Sequence, residues 1–117
     1  MMETLKLNKE FRRAYGRGKT VSAPALVVYA IKNRAGVCRY GITTSKKVGN
    51  AVERSRCRRI IREALRTLDE PFRGNWDLVF VARGKTKYLK STQVQQTMRA
   101  QLRKLGVLSA ETGTQTK

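Results

Sequence analysis

Apolar residues recur along this chain with two periods, and the periods mark out its elements. From Ala25 to Ile31 the run is β-branched and aromatic, and short enough for a strand. Leu26, Val28 and Ala30 face one way; Val27, Tyr29 and Ile31 face the other. Pro24 opens this run, Asn33 to Gly36 supply a turn, and Val37 to Thr44 read as the returning strand of a hairpin. Trp76 to Ala82 carry apolar residues on both faces, which predicts a central strand.

Three other segments follow the helical period. Asn8 to Gly18 predict a short helix, with Asn8 as N-cap, Gly18 as stop, and Phe11 and Tyr15 sharing a face. The longest helix begins at Asn50, which stands at capping-box spacing from Glu53, and continues to about Leu68. Its apolar positions Cys57, Ile60, Ile61, Ala64, Leu65 and Leu68 fall within one arc. A last helix begins near Ser91 or Thr92, carries the stripe Val94, Met98, Leu102 and Leu105, and ends at Gly106.

The resulting order is α-β-β-β-α-β-α. It predicts an α+β fold, a single-domain α-β sandwich with a small, mostly four-stranded sheet packed with helices. The 117 residues suit one domain, expected over 1–108. The polar segment 109–117 has too little apolar content to join a core, and disorder is expected there.

Charge changes the picture. There are 26 Lys and Arg against 8 Asp and Glu, a net charge of +18. Self-repulsion at that level destabilises a free compact chain, so a polyanion is the expected partner. No apolar run approaches the roughly 20 residues that span a bilayer, so a membrane partner is not expected.

Candidate protein chemistry is sparse. The chain has no histidine, which removes serine–histidine and cysteine–histidine catalysis. Cys38 and Cys57 lack the spacing of a zinc site. The carboxylates form no DxD or ExxE cluster, so no catalytic and no metal-binding protein residues are expected.

The basic residues are organised. On the long helix Arg58, Arg59, Arg62 and Arg66 occupy the arc opposite the apolar one, with Arg54 and Arg56 towards its flanks. A helix kept for solubility alternates charge signs to gain i,i+4 pairs; this one repeats a single sign, the footprint of polyanion binding. Arginine suits phosphate, because its planar fork bonds two oxygens at once. The lead-in Lys46-Lys47-Val48-Gly49-Asn50 runs from a strand into a helix N-terminus, whose free N–H groups favour anions. Two exposed lysines on an ordinary turn would read the same way. Phe11, Tyr15 and Tyr29 fit either simple core packing or a surface on which unpaired bases stack, with Arg12, Arg13 and Arg17 tracking phosphates.

The stretch from Lys46 to Glu63, KKVGNAVERSRCRRIIRE, closely resembles the signature of the bacterial ribonuclease P protein subunit. Asn8 to Tyr15, Leu26 to Tyr29, Gly41 to Lys47 and Asp77 to Arg83 fall in that family's order, so the resemblance covers roughly Leu5 to Gly106. It implies a cytoplasmic subunit that joins a catalytic RNA, one protein per RNA, to remove the 5′ leader of precursor tRNA. Mg2+ ions, held mainly by the RNA, would activate the attacking water. It also implies a ribosomal-protein-like fold with a left-handed β-α-β crossover, against the usual right-handed rule. Residue by residue, it places Phe11, Tyr15, Tyr29, Lys46, Lys47 and Arg12 at a cleft for the leader. It places Arg54, Ser55, Arg56, Arg58, Arg59 and Arg62 on the helix facing the catalytic RNA. The chain departs from the family at Ser55, where asparagine is usual. A ribosomal protein, a DNA-binding module and a protein nuclease are the rival classes. The DNA reading lacks the Asn or Gln base readers expected in a major groove.

Overall fold

The strand from Trp76 to Ala82 is central, as its two apolar faces predict, and it organises the rest. The computed structural model describes residues 2–109, so all but Ser109 of the expected polar tail lies outside the described residues. The elements are β1 (Glu3–Thr4), α1 (Asn8–Arg17), β2 (Lys19–Ala23), β3 (Leu26–Lys32), β4 (Arg39–Thr43), α2 (Ala51–Arg66), β5 (Trp76–Ala82) and α3 (Ser91–Leu105). Short 3-10 turns occupy Lys46–Val48 and Thr86–Tyr88. The sheet order is β1-β4-β5-β3-β2, a mixed five-stranded sheet rather than the mostly four-stranded one expected. The two-residue β1 carries no strand pattern of its own and is a strand only through its pairing with Arg39 and Tyr40.

The expected hairpin between the 25–31 and 37–44 runs does not form. β3 pairs antiparallel with β2 across the turn at Pro24 and Ala25. β5 inserts between β3 and β4, antiparallel to the first and parallel to the second. The physical reason lies in β5 itself. A strand apolar on both faces needs a hydrogen-bonded neighbour at each edge and a layer over each side. The connection from Asn33 to Cys38 therefore crosses the start of β5. Asn33 pins it: its amide Nδ2 donates to Val37 O (3.2 Å) and Asp77 Oδ1 (2.7 Å), and its backbone N–H to Asn75 O (3.0 Å).

Alternation then sorts the layers. Leu26, Val28, Ala30, Leu78 and Phe80 face α2 and α3 in the main core, together with Cys57, Ile61, Ala64, Met98 and Leu102. Val79 faces the other way, into a smaller cluster with Leu5 and Ala14 of the α1 layer, against which Phe11, Tyr29, Ile31 and Val81 pack. The amphipathic arcs expected for α2 and α3 are the buried ones, with Ile60 only partly covered. α3 ends at Gly106, whose φ of 84° is a left-handed conformation that suits glycine.

Helix starts divide between expectation and correction. Asn50 caps α2 as its spacing predicts: its Oδ1 accepts from Glu53 N, and Glu53 Oε1 accepts from Asn50 N, each at 2.9 Å. For α1 the cap is Leu7, not Asn8, because Glu10 at the third helical position reaches back to the N–H groups of Leu7 and Lys6 (3.0 Å each). Asn50→Ala removes one of the α2 partners and is expected to cost about 1 kcal/mol in a urea titration. No change in the midpoint would mean that Glu53 alone suffices.

Candidate nucleic-acid interface

The side of the sheet under α1 is only partly covered. Strand register places Arg39, Asp77 and Ile31 in one row, Gly41, Val79 and Tyr29 in the next, and Thr43, Val81 and Val27 in a third. Phe11 from α1 settles over Gly41. A Cβ at position 41 would overlap the Phe11 ring, so this close approach requires glycine. One helical turn on, Tyr15 stands over Tyr29 edge to face, with ring centroids 4.9 Å apart. Its hydroxyl donates to Thr43 Oγ1 at 3.3 Å. Phe11 and Tyr29 are half-buried, while Tyr15 is 42% exposed. The two readings of these aromatics therefore divide. Phe11 anchors α1 to the sheet, and Tyr15 forms an accessible wall.

Charge surrounds that wall. Arg12 and Arg17 are exposed on α1. β4 leaves the sheet at Thr43 and reaches Lys46 and Lys47, both exposed, three and four residues later. The structure thus brings Phe11, Tyr15 and Tyr29 together, and starts the two lysines from the same end of the sheet.

The α2 N-terminus is only partly open, leaving the N–H groups of Ala51 and Val52 outside its capping box: the Asn50 side chain accepts from Glu53 N, and the Glu53 carboxylate takes the Asn50 N–H. That hydrogen bond holds the Glu53 carboxyl below its ordinary range, with Lys87 adding to the effect. Lys87 ties the corner together: its Nζ lies 3.5 Å from Glu53 Oε1 and donates to Val48 O at 2.7 Å. Gly49 has a φ of 154°, and a Cβ there would run into the Glu53 carboxylate, so the cap itself requires glycine at this position.

Along α2 the arginines separate into two groups. Arg54 donates to Gly49 O (2.8 Å) and Arg58 to Thr44 Oγ1 (3.0 Å), so both lean towards the β4 side. Arg58 thus leaves the arc opposite the apolar one. Arg66 pairs with Glu63 at 2.6 Å. Arg56, Arg59 and Arg62 are exposed and have no side-chain partner among the described residues. Ser55 lies half-buried between the two groups. Uncompensated arginines of this kind are what a phosphate backbone neutralises.

One cluster is absent from the sequence reading. Asp77 is 1% exposed and accepts from Arg39 through both oxygens, Nε–Oδ1 at 2.8 Å and Nη2–Oδ2 at 2.9 Å. Arg39 Nη1 also donates to Glu10 of α1 at 2.9 Å, and Arg13 Nη1 lies 3.8 Å from Asp77. The Arg39 guanidinium is held above its ordinary range, chiefly by the Asp77 hydrogen bonds. Glu10 is held below its own, first by the Leu7 and Lys6 N–H groups and then by Arg39. The cluster fixes α1 on the sheet and thereby sets Phe11 and Tyr15. Its signal was available, since Asp77 is a lone charge inside an otherwise apolar strand.

Among the described residues there is no group of three or more Cys, Asp or Glu that could hold a metal ion. No helix among the described residues is long and apolar enough to cross a membrane.

The sequence profile of the family Ribonuclease P matches residues 2–106. The chain is 41% identical over 98 residues to the ribonuclease P protein component of Pelotomaculum thermopropionicum, covering 84% of this chain and 88% of that one. It is 40% identical over 104 residues to that of Clostridium botulinum, covering 88% and 94%. The structure of the Staphylococcus aureus RNase P protein superposes with a TM-score of 0.78 at 32% identity, covering 91% of this chain and 97% of that one. That of Thermotoga maritima gives 0.72 at 25% identity, with 84% and 93% covered. With the profile spanning nearly all the described residues and the fold shared, the chain belongs to the ribonuclease P protein family.

Proposed function

We propose that this protein, as the RNA-binding subunit of ribonuclease P, grips the single-stranded 5′ leader of precursor tRNA with its α1 face and the catalytic RNA with α2. The observation that carries the leader reading is the Tyr15–Tyr29 wall, an accessible aromatic surface with exposed Arg12 on the same helix and exposed Lys46 and Lys47 in the segment that follows β4. Every base has a π-face, so stacking on such a wall tolerates any leader sequence at about 1–3 kcal/mol per base. The partnerless Arg56, Arg59 and Arg62 support the reading of α2, with Arg54 and Arg58 reinforcing the turn and β4 beside it. Serine at 55 keeps one donor and one acceptor there but has less reach than asparagine.

In this assignment the protein positions substrate and RNA, and the chemistry belongs to the RNA. Mg2+ held by the RNA supplies the activated water. One protein per RNA, working in the cytoplasm, is the arrangement proposed. Adding the protein to the catalytic RNA at low Mg2+ should stimulate cleavage of precursor tRNA, and no stimulation would sink the proposal.

Phe11→Ala separates a leader clamp from a general RNA adhesive. The variant should bind precursor tRNA more weakly while its binding of mature tRNA is unchanged. Equal losses for both would mean that the α1 face anchored by Phe11 does not grip the leader.

A further inference from the structure

We propose that the groove between α2 and the outer edge of β4 receives an unpaired nucleobase of the RNA subunit. This rests on the reading of α2 as the helix that meets that RNA. β1 covers β4 only at Arg39 and Tyr40, so among the described residues the outer edge from Gly41 to Thr43 has no strand beside it. Two cavities, of about 780 and about 180 Å³, lie beside β4 and share Tyr40 and Arg62 in their walls; the smaller reaches the free edge at Gly41 and Ile42, and the larger lies at the start of the strand, by Cys38 and Tyr40. The larger has a half-buried apolar lining that includes Cys38, Tyr40 and Phe72, with Leu65 of α2 beneath. That size and lining are those of a small-molecule site, and a planar base fits the same description.

The charge around the groove selects the occupant. Arg62 stands at the junction of the two cavities, exposed and without a side-chain partner among the described residues. Arg58 and Arg66 lie one helical turn to either side, roughly 6 Å along the axis. Arg58 lines the smaller cavity and Arg66 the larger. The Arg66–Glu63 pair is exposed, with side chains 68% and 46% accessible, and such pairs are exchanged at little cost. The one carboxylate in the larger lining, Glu70, is neutralised by Arg99 and Arg103 at 2.7 and 3.0 Å, so a mainly apolar slot beneath a ladder of cations places a ring inside and its phosphates outside. A continuous duplex offers phosphates to the ladder but keeps its bases stacked, so it reaches the arginines and leaves the slot empty. The smaller cavity also takes in Leu5 and Phe11 and so meets the α1 face, whereas the larger is lined by none of the residues assigned to the leader and is the slot for the base.

The chain carries its own reporter. Cys38 lines the slot and is partly accessible, whereas Cys57 is 0% exposed and burial pushes its thiol up. N-ethylmaleimide should therefore modify Cys38 alone in the folded protein. Saturating RNA subunit should slow that reaction about tenfold or more, since access governs thiol reactivity. Precursor tRNA without the RNA subunit should leave the rate unchanged. A benzophenone attached at Cys38 should crosslink to unpaired nucleotides of the RNA subunit. The proposal is overturned if the RNA subunit binds in a gel-shift assay while Cys38 stays fully reactive, if precursor tRNA alone protects it, or if the crosslinks fall within continuous helices. A failure of the RNA subunit to bind at all, which the gel shift registers separately, would overturn the reading of α2 as well.

Discussion

Arg39→Ala is expected to lower the free energy of unfolding by about 3 kcal/mol, the low end of the range for breaking a buried ion pair. The substitution leaves the Asp77 carboxylate, 1% exposed, without its two-pronged partner. Asn33 Nδ2 at 2.7 Å and Arg13 at 3.8 Å remain beside it, which argues for the low end. The cause is the stranded charge rather than the lost attraction. The double substitution Arg39→Met with Asp77→Leu should therefore recover most of the loss, because neither residue then brings a charge into the sheet. Asn33 keeps Val37 O as an acceptor in that variant. Urea denaturation of the two variants against the unsubstituted protein measures this, and a loss below about 1 kcal/mol for Arg39→Ala would contradict the account. Arg39 also holds Glu10 of α1, so the single variant should bind precursor tRNA more weakly at temperatures where it remains folded.

The double substitution Arg59→Ala with Arg62→Ala should give the largest change in RNA binding. Each arginine that neutralises a phosphate contributes close to one unit to the log–log dependence of affinity on salt, so the slope should flatten by about two units. Neither side chain has a protein partner among the described residues, so stability should be nearly unaffected. Arg58→Ala makes the informative contrast. It also removes the hydrogen bond to Thr44 and should lose stability together with affinity. An unchanged slope in the double variant would show that Arg59 and Arg62 meet no phosphate.

The sequence determined the elements that depend on local chemistry. The Asn50–Glu53 box starts α2 because both partners lie within one helical turn. Gly106 stops α3 because a left-handed residue is needed there. The apolar arcs of α2 and α3 are the buried ones because a helix can hide only one face. The centrality of β5 was also legible, since a strand apolar on both sides has to be covered on both. The arginine face and its resemblance to the ribonuclease P protein subunit could be read without coordinates.

What the sequence left open depended on which distant segments meet. The supposed hairpin partner of β3 lies one strand further away, because β5, more than forty residues later, takes the place between. β1 exists only where β4 offers an edge. Phe11 needs the bare backbone of Gly41, and Asp77 needs Arg39 from a neighbouring strand and, through it, Glu10 from α1. Periodicity assigns a residue to a face because it is a property of one segment. Strand order, buried ion pairs and the groove beside β4 are properties of two or three segments together. The free energy that selects them appears only after the chain has closed its long loops and the segments touch.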